Sequence, residues 1–210
     1  MTEQAVATIT GAHPVALITG GADGIGWAIV RRFAAAGCQV AIADIREDVA
    51  MDRAQKLGAD HLAIAADVAS EAAVCAMVAK AIERFGRLDV LVNNAAISYP
   101  SGIEAEWEQW GSDWANTLQI NVVATADFCK EAVPHFQLNG GGRIITLTTR
   151  AVHRGDQPQY MHYAASKAGQ AAITRAIARA YARDHVLAFN VAPGFTRTDM
   201  AEEWVQTYGE

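Results

Sequence analysis

Tyr163 and Lys167 lie four residues apart in the segment YAASK, and this spacing can support proton transfer. A helix would place both side chains on one face, one turn apart. A phenol has an ordinary pKa of about 10, and a neighbouring ammonium group favours the phenolate and lowers that pKa. Tyr160 has Ala164 at the matching position and therefore no such partner. We predict Tyr163 as a general acid or base and Tyr160 as packing or pocket wall.

A glycine-rich turn follows the first apolar run of the chain. The run VALIT leads into TGGADGIG, in which Gly20, Gly24 and Gly26 have the spacing G-x-x-x-G-x-G. Glycines let the backbone turn tightly and approach a pyrophosphate, and the N-terminus of a following helix supplies N–H donors and a positive dipole. The turn indicates either a dinucleotide site or a plain strand–helix connection, and its place after the first strand favours the dinucleotide site.

Two acidic residues bear on which dinucleotide would bind. Asp44 ends the second predicted strand, 18 residues beyond Gly26. In a dinucleotide fold, a carboxylate there accepts hydrogen bonds from the ribose 2′-hydroxyl and repels a 2′-phosphate. Asp23 adds negative charge inside the glycine turn. Both residues favour NAD over NADP, although Asp44 could instead be a solvated carboxylate at a strand end.

The elements that would position these residues alternate along the chain. Short strand-like runs occupy 15–19, 39–44, 61–67, 88–94, 143–149 and 186–192, and helical segments occupy 24–37, 46–58, 70–86, 107–137 and 158–183. Strands without polar alternation, separated by helices, indicate a parallel sheet that is covered on both faces. We therefore predict one α/β domain, a Rossmann-type doubly wound parallel sheet over residues 14–210, preceded by a flexible arm at 1–13.

Composition narrows the class of protein. The 210 residues include 51% hydrophobic and 19% charged residues, and the formal net charge is −6. This acidic balance disfavours nucleic acid or an anionic membrane as a partner. No apolar run approaches the roughly 18–20 residues of a membrane helix, and the N-terminus lacks a secretory signal pattern. Three scattered cysteines and six histidines without ligand spacing predict free thiols in a cytoplasmic protein and no metal site.

Six motifs, in order along the chain, give it a family resemblance. They are TGGADGIG (19–26), DV (67–68), NNAA (93–96), the asparagine of INV (120–122), YAASK (163–167) and APGFTRT (192–198). From about residue 14 to its end, the chain resembles the short-chain dehydrogenase/reductase family. The resemblance implies a Rossmann fold that binds NAD(P) and hydride transfer between a carbinol and a carbonyl. Family members usually continue further, so the fold is expected to lack their last strand and helix.

The resemblance also implies which residues bind the cofactor. Asp67 would contact the adenine amino group, and Val68 would reach the adenine ring through its backbone. Pro193, Gly194 and Thr198 would border the nicotinamide. The full predicted set is Gly20, Asp23, Gly24, Ile25, Gly26, Asp44, Asp67, Val68, Asn93, Ala95, Tyr163, Lys167, Pro193, Gly194, Thr196 and Thr198.

The catalytic set implied by the resemblance is Asn121, Thr149, Tyr163 and Lys167. Lys167 would hold the nicotinamide ribose, and Asn121 would position a water molecule in a proton relay through Lys167; a buried amide that satisfies a helix bulge is the alternative. At Thr149 the family usually has a serine. Continuity of the strand GRIITLTT places Thr149 there, 14 residues before Tyr163, with one inserted residue. Closing that gap would instead place Arg150 there, which has no hydroxyl.

Two functions remain open at the level of sequence. The leading one is an NAD-dependent alcohol dehydrogenase or ketoreductase that acts on a small molecule. The alternative is a catalytically weak NAD-binding or regulatory protein on the same scaffold. Thr149 and the short C-terminus favour the alternative, whereas Asn121, Tyr163 and Lys167 favour an enzyme.

A basic cluster follows the predicted catalytic strand. Arg150, His153 and Arg154 lie within one short segment. They indicate either a pocket entrance that favours an anionic substrate or a solvated loop that contacts neighbouring elements or a partner chain. The long helices at 107–137 and 158–183 could form the intersubunit bundle typical of the family, so a homodimer or homotetramer is expected.

Overall fold

The computed structural model describes residues 13–196 and residue 198. The strands are β1 (Val15–Thr19), β2 (Gln39–Asp44), β3 (Leu62–Ala65), β4 (Val90–Asn93), β5 (Gly142–Leu147) and β6 (Val186–Val191). The α-helices are α1 (Gly24–Ala35), α2 (Glu47–Leu57), α3 (Glu71–Phe85), α4 (Trp107–Leu118), α5 (Ala124–Leu138), α6 (Ala151–Arg154) and α7 (Met161–Ala180). All but the last residue of the arm expected at 1–13 lies outside the described residues. No helix in the described ranges is long and apolar enough to cross a membrane.

The strands of the described chain form one parallel sheet in the order β3-β2-β1-β4-β5-β6. At its centre, Ile18 of β1 is in register with Ile42 of β2 and with Val92 of β4. The direction of strand order reverses between β1 and β4. In open parallel sheets, ligands bind in the crevice outside the carboxyl ends of the strands at such a reversal. The Rossmann-type fold predicted from the sequence is confirmed.

Both faces of the sheet are covered by helices, as the uninterrupted apolar strands predict. Val15 and Leu17 of β1 are fully buried on one face, in a cluster that includes Phe128 of α5. Ile18 is fully buried on the other face, in a cluster with Val30 of α1. Each fully buried side chain of this size contributes roughly 1.5–3 kcal/mol. The sheet is therefore a rigid frame, and its carboxyl ends can hold side chains in fixed positions.

Helix α3 has the termini that the sequence indicates. The Ser70 hydroxyl accepts a hydrogen bond from the backbone N–H of Ala73 at 3.3 Å, which satisfies one of the free donors of the first turn. Gly86 follows the helix with a φ of 76°, in the left-handed conformation that ends many helices. Serine before a helix and glycine after it are residue types typical of these two positions.

The long helix predicted over 107–137 is interrupted. A π turn at Gln119–Val123 separates α4 from α5, and Pro134 lies inside α5. A π turn adds one residue to a helical turn, and such turns are frequent at functional sites. Hydrophobic periodicity cannot detect one extra residue, so the sequence predicts a continuous helix here. The interruption turns the side chain of Asn121 into the core, where it is completely buried.

The second long helix and the strand before it are also shorter than predicted. The segment expected at 158–183 consists of a 3₁₀ turn at Pro158–Tyr160, α7, and a second 3₁₀ turn at Ala182–Asp184. Strand β5 ends at Leu147, although the backbone N–H of Thr148 still donates to the Val191 carbonyl at 2.8 Å. Thr148 and Thr149 therefore lie just beyond the carboxyl end of the sheet, beside the crevice.

Candidate functional site

The turn between β1 and α1 is closed by backbone contacts that leave no room for side chains. Gly20 and Gly24 have positive φ angles of 60° and 51°. A β-carbon at Gly26 would overlap the carbonyl oxygen of Gly20. Asp23 caps α1, because its Oδ1 accepts a hydrogen bond from the Gly24 N–H at 2.7 Å. The turn thus presents bare backbone and the positive end of α1 to the crevice, a cradle that fits the pyrophosphate of a dinucleotide.

Asn94 ties the end of β4 to this glycine turn. Its Nδ2 donates to the carbonyl oxygens of Thr19 and Gly20, both at 2.9 Å. In return, the Thr19 hydroxyl accepts hydrogen bonds from the N–H groups of Asn94 and Ala95, both at 3.0 Å. These bonds cross between neighbouring strands and fix the turn beside the crevice. Asn94 is a site residue that the sequence analysis missed.

Asn93 was expected to line the crevice, and the structure corrects this. Its side chain is buried behind the sheet, where Nδ2 lies 3.9 Å from Cys129 Sγ. Consecutive residues of a strand point to opposite faces, so only one of two adjacent asparagines can face a given side. The doubled NN in the sequence signals that one of them is at the site, but it does not say which one.

A cleft of about 370 Å³ runs along the carboxyl ends of β1 to β5. It brings together most of the residues predicted to bind the cofactor: Gly20, Asp23, Gly24, Ile25, Gly26, Asp44, Asp67, Val68, Ala95, Tyr163, Lys167, Pro193 and Thr198. Residues that the sequence analysis did not name also line it, among them Ile45, Arg46 and Asn94. Because these residues come from many separate elements, the cleft exists only in the folded chain.

Asp44 lies at one end of the cleft, and both oxygens of its carboxylate accept hydrogen bonds from the protein. Oδ2 accepts a hydrogen bond from the Ala22 N–H at 3.1 Å. Oδ1 accepts from the backbone N–H of Arg46 at 3.1 Å and from its Nε at 3.2 Å. The Arg46 guanidinium also lies 3.3 Å from Asp23 Oδ2. Asp44 raises the pKa of Arg46 mainly through its hydrogen bond, and Arg46 in turn offsets part of the negative charge of both acids.

The neighbouring part of the cleft has an apolar wall. Ile45 is 68% exposed, an unusual position for a large aliphatic side chain, and it lines the cleft together with Asp67 and Val68. Asp67 is held in place because its Oδ1 accepts a hydrogen bond from the Ala69 N–H at 2.9 Å. A flat hydrophobic surface beside a fixed carboxylate can hold a base such as adenine. Ile45 has no sequence signal of its own, since apolar residues after a strand are common.

A second pocket of about 230 Å³ adjoins the cleft. The residues that line both cavities are Ile25, Thr148, Tyr163, Pro193 and Thr198, whereas Gly194 and Thr196, predicted to bind the cofactor, line only the second one. The other residues that line the second pocket are Ser98, Thr149, Arg150, Ala151, Arg154, Asp156, Tyr160 and Phe195. Tyr160, predicted as packing or pocket wall, is part of this wall. The phenol of Tyr163 is thus at the junction between the two cavities.

Tyr163 and Lys167 share one face of α7, as their spacing predicts. The Lys167 Nζ lies 5.8 Å from the centre of the Tyr163 ring. Lys167 is only 3% exposed, and Nζ donates a hydrogen bond to the Leu147 carbonyl at the end of β5, at 2.8 Å. The ammonium group is therefore held at the crevice by the sheet rather than by a carboxylate.

Burial changes the pKa values of Tyr163 and Lys167 more than their mutual attraction does. Desolvation lowers the pKa of Lys167 from 10.5 to about 7. Desolvation, followed by repulsion from Asp156, raises the pKa of Tyr163 from 10.0 to about 12. The sequence-based expectation that Lys167 lowers the tyrosine pKa is therefore wrong for this arrangement. The phenol is protonated at neutral pH, which suits a proton donor.

Asn121 is held in the π turn by a full set of partners. Its Oδ1 accepts from the Ile97 N–H at 2.9 Å, and its Nδ2 donates to the Ile97 carbonyl at 3.0 Å and to the Ser166 hydroxyl at 2.9 Å. Its backbone carbonyl accepts from the Thr125 hydroxyl at 2.9 Å. The side chain therefore joins the Ile97 segment of the cleft wall to α7, beside Lys167.

Thr149 lines the second pocket together with Tyr163. Its hydroxyl oxygen accepts a hydrogen bond from the Ala151 N–H at 3.3 Å. The neighbouring Thr148 is more deeply buried and donates its own hydroxyl proton to the Val191 carbonyl at 3.1 Å. Of the two threonines, Thr149 thus has the hydroxyl proton available for a bound molecule. Arg150 is exposed at the rim of the same pocket.

Replacing Lys167 with Met should raise the free energy of unfolding below pH 7, and this gain should shrink as the pH rises toward 10.5. Below pH 7 the folded protein buries an ammonium group. Between these two pH values the unfolded lysine keeps its proton while the folded one has lost it, so the wild type gains stability with rising pH. In urea unfolding across this window, the difference between the variant and the wild type should change by on the order of 5 kcal/mol. A difference that does not depend on pH would contradict the buried charge.

Comparison with known proteins agrees with this geometry. The protein family described as short chain dehydrogenase matches residues 14–209. The chain is 36% identical over 192 residues to the cis-4-hydroxycyclohexanecarboxylate dehydrogenase of Sinomonas cyclohexanicum, covering 90% of this chain and 76% of that protein. It is 32% identical over 187 residues to the 7alpha-hydroxysteroid dehydrogenase of Escherichia coli (strain K12), covering 88% of this chain and 71% of that protein.

A solved structure has a similar fold. The crystal structure of 3-ketoacyl-(acyl-carrier-protein) reductase from Brucella melitensis, complexed with NADH, matches with a TM-score of 0.83 and 32% sequence identity. The match covers 89% of this chain and 77% of that chain. The family match, the identities and the cleft at the carboxyl ends of a parallel sheet lead to one conclusion: the chain belongs to the short-chain dehydrogenase/reductase family of oxidoreductases.

Proposed function

We propose that this protein transfers a hydride between NAD(H) and a small alcohol or ketone, with Tyr163 as the acid or base. The observation that carries this proposal is the position of Tyr163, which lines both the cleft with the glycine cradle and the adjoining pocket. A group at this junction can reach a substrate oxygen while the hydride passes between cofactor and substrate. The protonated phenol and the nearby Lys167 support the same role.

The cofactor would lie along the cleft. Bound there, NAD supplies the nicotinamide ring that accepts or gives the hydride. The glycine turn and the N-terminus of α1 would hold its pyrophosphate, and Asp44 its adenosine ribose. Asp67 and Ile45 would bind the adenine. Lys167 would hold the nicotinamide ribose, beside Tyr163.

The proton step follows from the protonation states of the pair. Reduction of a carbonyl builds negative charge on its oxygen, and the phenol of Tyr163 donates a proton to that oxygen. A phenolate then remains, and it increases the affinity of Lys167 for a proton, since an opposite charge favours the ammonium form. In the reverse direction, the ammonium stabilises the phenolate that removes the proton from an alcohol. Tyr163 and Lys167 thus act as one coupled unit.

Thr149 and Asn121 would support this unit in different ways. The Thr149 hydroxyl can donate to the substrate carbonyl and polarise it, the task for which the family usually has a serine. Asn121 would act as a positioning residue, because its amide is engaged by Ile97 and Ser166. Its side-chain amide would therefore take no direct part in a proton relay. Asn121 would instead support a relay through Lys167 by fixing the position of α7.

Replacing Tyr163 with Phe should lower kcat by roughly 10²–10⁴-fold, because the proton donor is lost while the ring remains. NADH absorbance, followed over a panel of alcohols and ketones, measures turnover of the wild type and of the variant. Binding of NADH, followed by its fluorescence, should weaken far less than kcat falls, because the aromatic ring remains, and serves as the control.

A wild-type protein that binds NADH but turns over no member of the panel would favour the second candidate, a weak NAD-binding or regulatory protein. One feature supports that candidate: Thr149 stands where the family usually has a serine. Comparable turnover by the wild type and by Tyr163→Phe would also contradict the proposed acid. The expected assembly into a homodimer or homotetramer stays a prediction, which light scattering would measure.

Replacing Thr149 with Ala should lower kcat/KM for a ketone by roughly 10²-fold, because a preorganised hydrogen-bond donor to the developing oxyanion is removed. Thr149→Ser keeps the hydroxyl and removes only the methyl group, so it should retain most of the activity and is the matched control. Steady-state kinetics with both variants gives the comparison. Equal kcat/KM for Thr149→Ala and the wild type would remove Thr149 from the catalytic set.

We also infer a preference for NAD over NADP, which Asp44 supports because a buried carboxylate at the ribose end disfavours a 2′-phosphate. Replacing Asp44 with Ala should weaken NADH binding and shift the preference toward NADPH, because Arg46 is released to bind the phosphate. The ratio of dissociation constants for the two cofactors measures the shift. The double variant Asp44→Ala with Arg46→Gln is the control and should lose the gained NADPH affinity. An unchanged ratio in Asp44→Ala would contradict the role of Asp44.

A further inference from the structure

We propose that the second pocket binds the carboxylate of a hydroxy acid or oxo acid, and that Arg150 and Arg154 hold it. This inference rests on the proposed function, since it defines the class of substrate for the same site. The two arginines would fix one end of the molecule, while its hydroxyl or carbonyl oxygen faces Tyr163. The inference thus narrows the general class of alcohols and ketones to molecules with a negative charge.

The backbone places the two arginines side by side. The Arg154 N–H donates to the Arg150 carbonyl at 3.2 Å, so the two residues are one helical turn apart at α6. Both are exposed and both line the second pocket. In the described part of the chain, neither forms an ion pair with an acid. Two guanidinium groups at the rim of a cavity, without a counter-ion among the described residues, are available to a bound anion, and their planar donors match a carboxylate.

The charge balance of the pocket favours an anion. Asp156 is the acid among the described residues that line it, and its Oδ1 accepts a hydrogen bond from the Gln157 N–H at 2.9 Å. Two positive side chains therefore face one negative side chain. The rest of the lining is hydroxyl-bearing or apolar. This local excess of positive charge stands out in a chain whose formal net charge is −6.

The position of the third basic residue of the segment sharpens the assignment. His153 is exposed on the same short helix, but it does not line the second pocket. The basic cluster seen in the sequence thus separates into two pocket residues and one surface residue, which also provides a matched control.

The same cavity contains the proposed reaction centre. Tyr163 and Thr149 line it together with the two arginines, within a volume of about 230 Å³. A carboxylate at the arginines and a carbonyl group at the tyrosine would therefore belong to one small molecule. The positive charge at the rim and the reacting residues at the bottom of the pocket predict that oxo acids are preferred over neutral ketones of equal size.

The first test compares turnover of 4-oxopentanoate and of its neutral amide, 4-oxopentanamide, with NADH. We expect the wild type to prefer the acid. Arg150→Gln and Arg154→Gln should each lower kcat/KM for the acid by about fivefold, the range of exposed ion pairs, and leave the amide unaffected. The double variant should lose the preference, while His153→Gln should keep it. Equal kcat/KM for acid and amide in the wild type would overturn the proposal.

The second test needs no turnover and separates this proposal from the proposed function. Pentanoate and pentanamide are titrated by NMR into the NADH-saturated wild type, the double arginine variant and His153→Gln. Weaker binding of pentanoate in the double variant alone supports the carboxylate site, even if no panel member is turned over and the proposed function fails. Identical binding of pentanoate to the wild type and the double variant overturns the carboxylate site, even if neutral ketones are turned over.

Discussion

The hydrogen bonds from Asn94 Nδ2 to the Thr19 and Gly20 carbonyls are the interaction on which the site depends. They join the ends of β1 and β4, the two strands between which the strand order reverses. Without them, these two carbonyl groups would lose the Asn94 donor, and a buried polar group left without a partner costs about 1–3 kcal/mol. Because a β-carbon at Gly26 would overlap the Gly20 carbonyl oxygen, no side chain fits at that position of the turn.

The buried ammonium of Lys167 is a second constraint, and it acts against stability. It is 3% exposed, and among the described residues its Nζ has one carbonyl partner and no carboxylate. Proteins rarely bury an isolated charge, because desolvation costs several kcal/mol unless the group becomes neutral. Its lowered pKa reflects this cost. In the proposed function, a cation that stabilises the Tyr163 phenolate and binds a ribose would explain why the folded chain tolerates such a residue.

The sequence predicts those features that depend on local patterns. The parallel sheet follows from apolar runs, and the glycine turn and the pairing of Tyr163 with Lys167 on one helix face follow from spacing alone. Features that depend on tertiary contacts were missed or were wrong. The choice between Asn93 and Asn94 depends on which face of β4 meets the crevice, and the π turn around Asn121 requires one extra residue that periodicity cannot detect. The prediction of a lowered pKa for Tyr163 was wrong because burial outweighs the attraction of a neighbouring ammonium.

Both ends of the site contain arginines and acidic residues, but the sign of the local charge differs between them. At the cofactor end, Arg46 binds Asp44 and Asp23, so two acids face one base and the local charge is negative. At the substrate end, Arg150 and Arg154 face one acid, and the local charge is positive. Fields in a cleft with low-dielectric walls act over short distances and select ligands by the sign of their charge. In the proposed function, one end would therefore disfavour an additional phosphate on the cofactor, while the other would attract a carboxylate on the substrate.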